Sequence, residues 1–309
     1  MGQIAFVFSG QGAQYPGMGK KLYETFPSAR KVFEMADQIR PGTIRQCFEG
    51  TKQELSQTLN TQPCVLAVEL ACAAALRESG VTAQGAAGFS LGEIAALAYT
   101  GVLSQEDTFR LVLKRAELME QCSQRTEGTM AAILGLETEQ AEQLCKEAGA
   151  WPVNYNCPGQ LVAAGTKEAV SALRKLVAEA GGKTVRLAVS GAFHSPLMAE
   201  ASKGLAEELK HYTLKAPAVE LYSNVTAQPY GKNAASLVAR QASSSVLWQK
   251  TIENMTVDGF DTFVEVGPGH TLCGLIHRIS PNVKTVGVQD PESLTQAIRL
   301  VMEEEHAQR

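Results

Sequence analysis

The sequence of 309 residues has no strong excess of charge of either sign, with 28 lysines and arginines against 32 aspartates and glutamates. A protein that binds nucleic acid mainly through phosphate contacts needs a basic surface, so this balance argues against that class. The sequence also lacks any run of 18 or more apolar residues, and its first residues lack a basic region followed by an apolar core. It therefore predicts neither a membrane span nor a signal peptide.

Cysteine and histidine lack the spacing that is typical of disulfide frameworks and metal sites. The seven cysteines are odd in number and form no C-x-x-C pair, and the five histidines form no H-x-x-x-H pair. Small buried thiols in a reducing compartment are the usual reason for such a pattern. We therefore expect a reduced cytoplasmic protein that has neither a disulfide framework nor a metal site.

The pentapeptide from Gly88 to Gly92 matches the pattern G-x-S-x-G. A short apolar run precedes it, and apolar residues at helical spacing follow it, so the serine lies at a strand-to-helix turn. Such a turn lifts the hydroxyl of Ser90 out of the sheet, and it places the amide of Leu91 at a helix N-terminus that favours an oxyanion. The pattern predicts a nucleophilic serine that becomes acylated. The alternative is a glycine-bracketed turn that holds an ordinary serine.

Strands and helices alternate along most of the chain. A buried strand is predicted at 4–8, a glycine-rich loop at 9–17, and helical apolar spacing at 22–36 and 65–76. Ser104 and Asp107 form a capping-box pattern that opens a further helix. This alternation predicts an α/β fold with a mostly parallel sheet.

The middle of the chain follows a different order. Its predicted elements are a strand at 129–136, a helix at 138–148, strands at 153–156 and 160–165, a helix at 167–180 and a strand at 184–189. The order β-α-β-β-α-β is the ferredoxin-like arrangement. We therefore predict a ferredoxin-like subdomain at 126–189, inserted into a core formed by 1–125 and 190–309.

A nucleophilic serine needs a general base, which is most often histidine. His194 and His270 both follow predicted strands, and catalytic side chains concentrate at strand ends in α/β folds. Spacing alone does not choose between them. No acidic residue identifies itself as a third member of a triad, so a backbone carbonyl is a candidate to orient the histidine.

Two further polar residues are candidates for the site. The loop from Gly10 to Gln14 is a poor dinucleotide motif, because Tyr15 stands where G-x-G-x-x-G needs its last glycine. The amide of Gln11 suits donation to an oxyanion, although a tight strand-helix connection would look the same. Arg115 lies in an apolar helix, and its planar fork would suit a substrate carboxylate if it lies beside the serine. A solvated or ion-paired arginine is the alternative.

Seven segments in order along the chain carry a more specific signal. They are Phe6 to Gln14, Thr61 to Pro63, Gly88 to Glu93, the stretch around Arg115, Asn154 to Gln160, Phe193 to Ser195, and Glu265 to Gly269. Together they resemble the malonyl-CoA:acyl carrier protein transacylases, the free-standing acyltransferases of bacterial fatty-acid synthesis. The resemblance implies an α/β-hydrolase-like core with a ferredoxin-like insert.

The resemblance also implies catalytic roles. Ser90 would be the nucleophile and His194, rather than His270, its general acid and base. The resemblance further implies that a backbone carbonyl near 246–248 orients the histidine. Two positions depart from the family, because Phe89 stands where histidine is common and Leu247 where glutamine is common.

The same resemblance implies how substrates are held. The amide of Leu91 and the side chain of Gln11 would form the oxyanion hole. Arg115 would bind the free carboxylate of malonate, with Gln62 lining the site. The implied partners are malonyl-CoA and acyl carrier protein, without nucleic acid, membrane, metal or cofactor. The alternatives are an acyltransferase of a polyketide synthase or of malonate decarboxylase, a serine esterase or thioesterase, and a catalytically silent module that binds carrier protein.

Overall fold

The computed structural model of the protein describes residues 2–189, 191–231 and 233–307, and it describes side chains as far as residue 301. Ser190, where the predicted core was expected to resume, lies outside these residues. The strands are β1 Gln3–Phe8, β2 Gly85–Gly88, β3 Gly128–Leu134, β4 Trp151–Cys157, β5 Gln160–Thr166, β6 Lys183–Arg186, β7 Glu220–Leu221, β8 Phe260–Val266 and β9 Lys284–Val288.

Helices connect most of these strands. They are α1 Lys20–Thr25, α2 Pro27–Ile39, α3 Thr43–Glu49, α4 Lys52–Leu55, α5 Thr58–Glu78, α6 Leu91–Tyr99, α7 Gln105–Arg125, α8 Thr138–Ala148, α9 Lys167–Glu179, α10 Ala199–Glu208, α11 Ala234–Gln241, α12 Trp248–Val257, α13 Thr271–Ile279 and α14 Pro291–Ala307. Short 3₁₀ helices occur at Pro196–Met198 and Leu209–His211.

Five strands form a parallel sheet in the order β7-β2-β1-β8-β9. The central strand, β1, is buried over its last four residues because helices cover both faces of the sheet. Phe6 and Phe8 belong to one apolar cluster, whereas Ala5 and Val7 belong to another, since successive side chains of a strand point to opposite faces. The predicted α/β fold with a parallel sheet is confirmed.

Four strands form a second, antiparallel sheet in the order β4-β5-β3-β6. Together with α8 and α9 they give the predicted β-α-β-β-α-β unit, with an apolar cluster of its own that includes Ile133, Leu161 and Leu173. The ferredoxin-like subdomain is thereby confirmed as an element of the fold. We propose, as the sequence predicts, that its boundaries with the core lie at 126 and 189.

Two helix boundaries predicted from the spacing of apolar residues are wrong. The single helix predicted at 22–36 is two helices, α1 and α2, because Pro27 is the first residue of α2 and proline cannot donate the bond that would continue α1. The helix predicted from residue 65 begins seven residues earlier, at Thr58. Most residues of α5 are buried, so the helix shows little of the amphipathic spacing on which the prediction depended.

By length and composition alone, α5 would be able to cross a membrane. However, 83% of its most apolar window is buried inside the protein. Central helices of globular cores pass the same test, and α5 packs against α2, α6 and α7.

The parallel sheet places the candidate site at one edge. Because its strands run in the same direction, their carboxyl ends lie together, and ligands bind at that edge in α/β folds. Ser9 follows β1 directly, Gly267 follows β8, and Ser90 comes two residues after β2.

Candidate active site

Ser90 occupies a sharp turn between β2 and α6. Its φ of 55° and ψ of −98° are rare for a residue with a side chain. A Cβ atom at Gly88 would lie 1.9 Å from the carbonyl carbon of Gly92, and one at Gly92 would lie 2.2 Å from the carbonyl oxygen of Phe8. The strand and the helix therefore pass too closely for any other residue at these two positions, as the G-x-S-x-G pattern predicts.

Asn224 braces this turn from the segment that follows β7. The backbone N–H of Ser90 donates to Asn224 Oδ1 at 2.7 Å, and Asn224 Nδ2 donates to the carbonyl oxygen of Gly88 at 2.6 Å. The asparagine thus satisfies one backbone group on each side of Phe89. These bonds hold the strained conformation of Ser90 in place.

The structure brings Ser90 and His194 into contact. His194 Nε2 lies 2.7 Å from Ser90 Oγ, while His194 Nδ1 lies 2.9 Å from the carbonyl oxygen of Gln241 and 3.2 Å from that of Ser244. Because carbonyl oxygens only accept, Nδ1 carries the hydrogen, and Nε2 is left to accept from the serine hydroxyl. His270, in contrast, is exposed and bonds to Gln289.

The position predicted for the orienting carbonyl, 246–248, is wrong. The carbonyl oxygen of Val246 accepts from the N–H of Tyr155, and that of Leu247 accepts from the N–H of Thr251 as α12 begins. These two carbonyl groups are therefore committed to strand pairing and helix formation. The carbonyl groups that reach His194 lie at the end of α11 and in the turn after it.

His194 is 5% exposed, and this burial, together with the positive charge of Arg115, lowers its pKa to about 4. Both effects disfavour the imidazolium form. The ring is therefore neutral near pH 7, which is the form that accepts a proton.

Arg115 lies beside the serine and not in solvent, with 1% of its surface exposed. It donates to Gln62 Oε1 at 2.8 Å, to Ser90 Oγ at 3.0 Å and to Gln241 Oε1 at 2.9 Å. Burial lowers its pKa to about 10, so the side chain stays cationic at neutral pH. All three acceptors are uncharged, and Arg115 has no carboxylate ion-pair partner in the part of the chain that the structure describes.

Gln241 connects the groups of the site, and sequence reasoning missed it. Its carbonyl oxygen accepts from His194, and its side-chain oxygen accepts from Arg115. Its Nε2 donates to the carbonyl oxygen of Ser90 at 2.5 Å and to Glu93 Oε2 at 2.8 Å. Glu93 belongs to the motif segment, but no spacing rule shows that its carboxylate points into the core.

The two predicted oxyanion donors lie at the same edge of the sheet. Leu91 is buried and is the first residue of α6. Gln11 is half-buried and lines a cavity of about 260 Å³ with Phe89, between the loop after β1 and the antiparallel sheet. Phe89 packs edge-on against Trp248 with a distance of 5.6 Å between ring centroids.

Comparison with known proteins identifies the family. The model of the acyl transferase domain matches residues 5–295. The chain belongs to the acyl transferase domain family. This acyltransferase is 39% identical over 313 residues to the malonyl CoA-acyl carrier protein transacylase of Bacillus subtilis (strain 168), covering 98% of the chain and 99% of its relative.

Solved structures agree with this assignment. The malonyl CoA-acyl carrier protein transacylase from Clostridium perfringens superposes on the acyltransferase with a TM-score of 0.94 at 32% identity, covering 99% of each chain. A malonyl-transacylase solved with a type II polyketide acyl-carrier protein superposes with a TM-score of 0.92 at 34% identity, covering 96% of this chain and 99% of that one.

The cysteines of the acyltransferase are all free, and six of the seven are buried. Among the described residues, no three His, Cys, Asp or Glu side chains gather where a metal ion would bind.

Proposed function

We propose that this acyltransferase moves a malonyl group from malonyl-CoA to the phosphopantetheine thiol of an acyl carrier protein in fatty-acid biosynthesis. The observation that carries the proposal is the buried cation of Arg115, 3.0 Å from Ser90 Oγ. An acyl group that ends in a carboxylate needs such a partner once it leaves water, because burying an unpaired charge is costly. A simple esterase has no use for it.

The reaction runs in two halves through an ester of Ser90. In the first, Ser90 Oγ attacks the thioester carbonyl carbon while His194 Nε2 takes the hydroxyl proton. The developing oxyanion is held by the Leu91 amide and the Gln11 side chain. The C–S bond then breaks, and coenzyme A leaves as a thiol with the proton from His194.

In the second half, the phosphopantetheine thiol gives its proton to His194 and its sulfur attacks the malonyl ester. The C–O bond to Ser90 breaks, and His194 returns the proton to Ser90 Oγ. The carbonyl groups of Gln241 and Ser244 keep Nδ1 as the donor throughout, so that Nε2 alone exchanges the proton.

The cavity beside Gln11 provides a place for the arm that carries the thioester. Its lining includes the polar side chains of Asn154, Asn156 and Glu265 beside apolar residues. A mostly apolar lining with a few polar groups is typical of sites that bind small molecules. Pantetheine carries amide N–H groups, and coenzyme A and acyl carrier protein share this arm.

Arg115→Ala is expected to lower the rate of malonyl transfer by about 10- to 150-fold, since a hydrogen bond to a charged group is worth roughly 1.5–3 kcal/mol. Transfer from acetyl-CoA, which has no carboxylate, should change little or rise. Single-turnover acylation with both substrates on the same preparation is the measurement.

Arg115→Lys is the matched control for this experiment. It keeps the charge but loses the planar fork, so we expect a partial loss with malonyl-CoA. Equal losses on both substrates, with the fold intact by circular dichroism, would show that Arg115 does not bind the carboxylate and would favour the esterase alternative.

The rate of acylation is expected to stay nearly constant as pH falls from about 6.5 to about 5. The base must be neutral, and burial and Arg115 lower the pKa of His194 to about 4, so its protonation comes later than for an ordinary histidine. The pH dependence of acylation by acetyl-CoA measures this. Half-loss near pH 6.5 would contradict it.

The carrier protein that accepts the malonyl group has two candidates. Similarity to a malonyl-transacylase solved with a polyketide carrier protein favours a second candidate, the carrier protein of a polyketide synthase, as acceptor. Comparing transfer rates to a fatty-acid and a polyketide carrier protein separates the two.

A cytoplasmic location is also proposed, supported by seven cysteines that are all free.

A further inference from the structure

Glu93 is a buried carboxylate joined to Arg115 through a single amide. Gln241 Nε2 donates to Glu93 Oε2 at 2.8 Å, and Arg115 donates to Gln241 Oε1 at 2.9 Å. Glu93 is 0% exposed and Arg115 is 1% exposed. The cation and the carboxylate therefore share a hydrogen-bond chain in a medium that screens charge poorly, although they do not touch.

The other groups around Glu93 are donors from the segment after β7. Tyr230 donates its hydroxyl to Glu93 Oε1 at 2.6 Å, and the N–H of Asn224 donates to the same atom at 3.2 Å. Among the described residues, the titratable or charged groups that face Glu93 are Tyr230, Arg115 on α7, and His194 beyond Gln241. On α5, Gln62 joins the chain as a neutral amide.

This arrangement balances one cation against one carboxylate before substrate enters. Burial raises the pKa of Glu93 to about 7, so at neutral pH a fraction of the molecules already carries a proton there. A malonyl carboxylate at Arg115 adds a second anion at the other end of the same chain. Two carboxylates near one cation repel each other, and each raises the pKa of the other. Glu93 reaches Arg115 only through Gln241, so Glu93 is the carboxylate that becomes neutral.

We propose that Glu93 takes up a proton when a malonyl group occupies Ser90, so that Arg115 then faces one anion and not two. This inference rests on the proposed function, because it needs the substrate carboxylate at Arg115. Glu93 is then a specificity-determining residue that touches no substrate atom. Its ionised form favours an empty or acetylated site, and its protonated form favours a malonylated one.

The preference for malonyl over acetyl groups should therefore depend on pH and fall as the pH rises. Below about pH 7 Glu93 is already protonated, and malonylation costs no proton uptake. Above that pH each malonylation must bind a proton, so the equilibrium preference for malonyl over acetyl falls by up to tenfold per pH unit. The comparison with acetyl-CoA cancels the titration of His194 and of the coenzyme A thiol.

The test measures proton uptake when the enzyme is mixed with malonyl-CoA in weak buffer containing an indicator dye. Ester formation releases coenzyme A as a thiol and leaves no net proton, so any uptake below the pKa of that thiol belongs to the protein. Near pH 7 the wild type should bind a fraction of a proton per malonyl-Ser90, counted by mass spectrometry. Acetyl-CoA should cause none, and Glu93→Gln should bind none with either substrate.

Tyr230→Phe provides a second variant if Glu93→Gln does not fold. It removes a donor that stabilises the ionised carboxylate, so the malonyl-to-acetyl preference should begin to fall at a higher pH than in the wild type. A malonyl adduct that forms without proton uptake, and with a preference that is flat from about pH 6 to about pH 9, would overturn this inference alone. The absence of a malonyl adduct would overturn the proposed function as well.

Discussion

Incubation with malonyl-CoA and no acceptor is expected to leave one malonyl group on the peptide that contains Ser90, and Ser90→Ala should leave that peptide unmodified. The hydroxyl lies within hydrogen-bonding distance of both His194 Nε2, at 2.7 Å, and the Arg115 guanidinium, at 3.0 Å. In serine hydrolases, loss of the nucleophile costs on the order of 10⁶-fold in turnover. Mass spectrometry of the digested protein measures the adduct, and a transfer assay measures the rate.

Ser90→Gly is the matched variant, because the φ of 55° strains alanine but not glycine. It also lacks the hydroxyl, so it should be equally inactive while keeping the turn. A label that persists in either variant, or that appears on a cysteine, would show that the nucleophile lies elsewhere.

His194→Ala is expected to slow acylation by about 10²–10⁴-fold, the usual contribution of a positioned general base. Its Nε2 is the proton acceptor nearest to Ser90 Oγ among the contacts described, and the carbonyl oxygens of Gln241 and Ser244 fix its tautomer. Single-turnover acylation at saturating malonyl-CoA separates this effect from substrate binding.

His270→Ala is the control for this prediction, since His270 is exposed and bonds to Gln289. It should acylate at close to the wild-type rate. His194 has a φ of 63°, so His194→Asn, which tolerates that conformation better than alanine, guards against a folding defect. A larger loss in the His270 variant than in either His194 variant would reverse the assignment of the base.

The parts of the site that depend on local sequence could be predicted. A glycine on each side of the serine is required where a strand and a helix cross, so Ser90 and Leu91 follow from the pattern itself. The order of strands and helices likewise predicts both sheets, because each element is decided by neighbours within a few residues. The choice of His194 over His270 came only from the family resemblance.

The parts that depend on distant contacts could not be predicted. Asn224 meets Ser90 across 134 positions, and Gln241 meets it across 151. A single polar side chain that closes a turn or links two charges does not recur at a helical or strand period, so the sequence pattern does not reveal it. Every residue has a backbone carbonyl group, so the sequence does not show which one contacts the histidine. The carbonyl groups near 246–248, which the resemblance implies, lie a few residues after those that contact His194 and take part in β-pairing and in the start of α12.

The central position of β1 has a consequence for how the protein is made. β1 precedes the other strands of its sheet along the chain, yet one of its two neighbours is β8, whose pairing joins Gln3 to Phe260. Until most of the chain has left the ribosome, one edge of a buried apolar strand stays unpaired, and such edges promote aggregation. The antiparallel sheet, in contrast, pairs its four strands within 128–186, although β4 also contacts later residues such as Val246. This sheet can therefore form while the remainder of the chain is still being translated. The order of synthesis thus favours folding of the insert before the catalytic core that surrounds it.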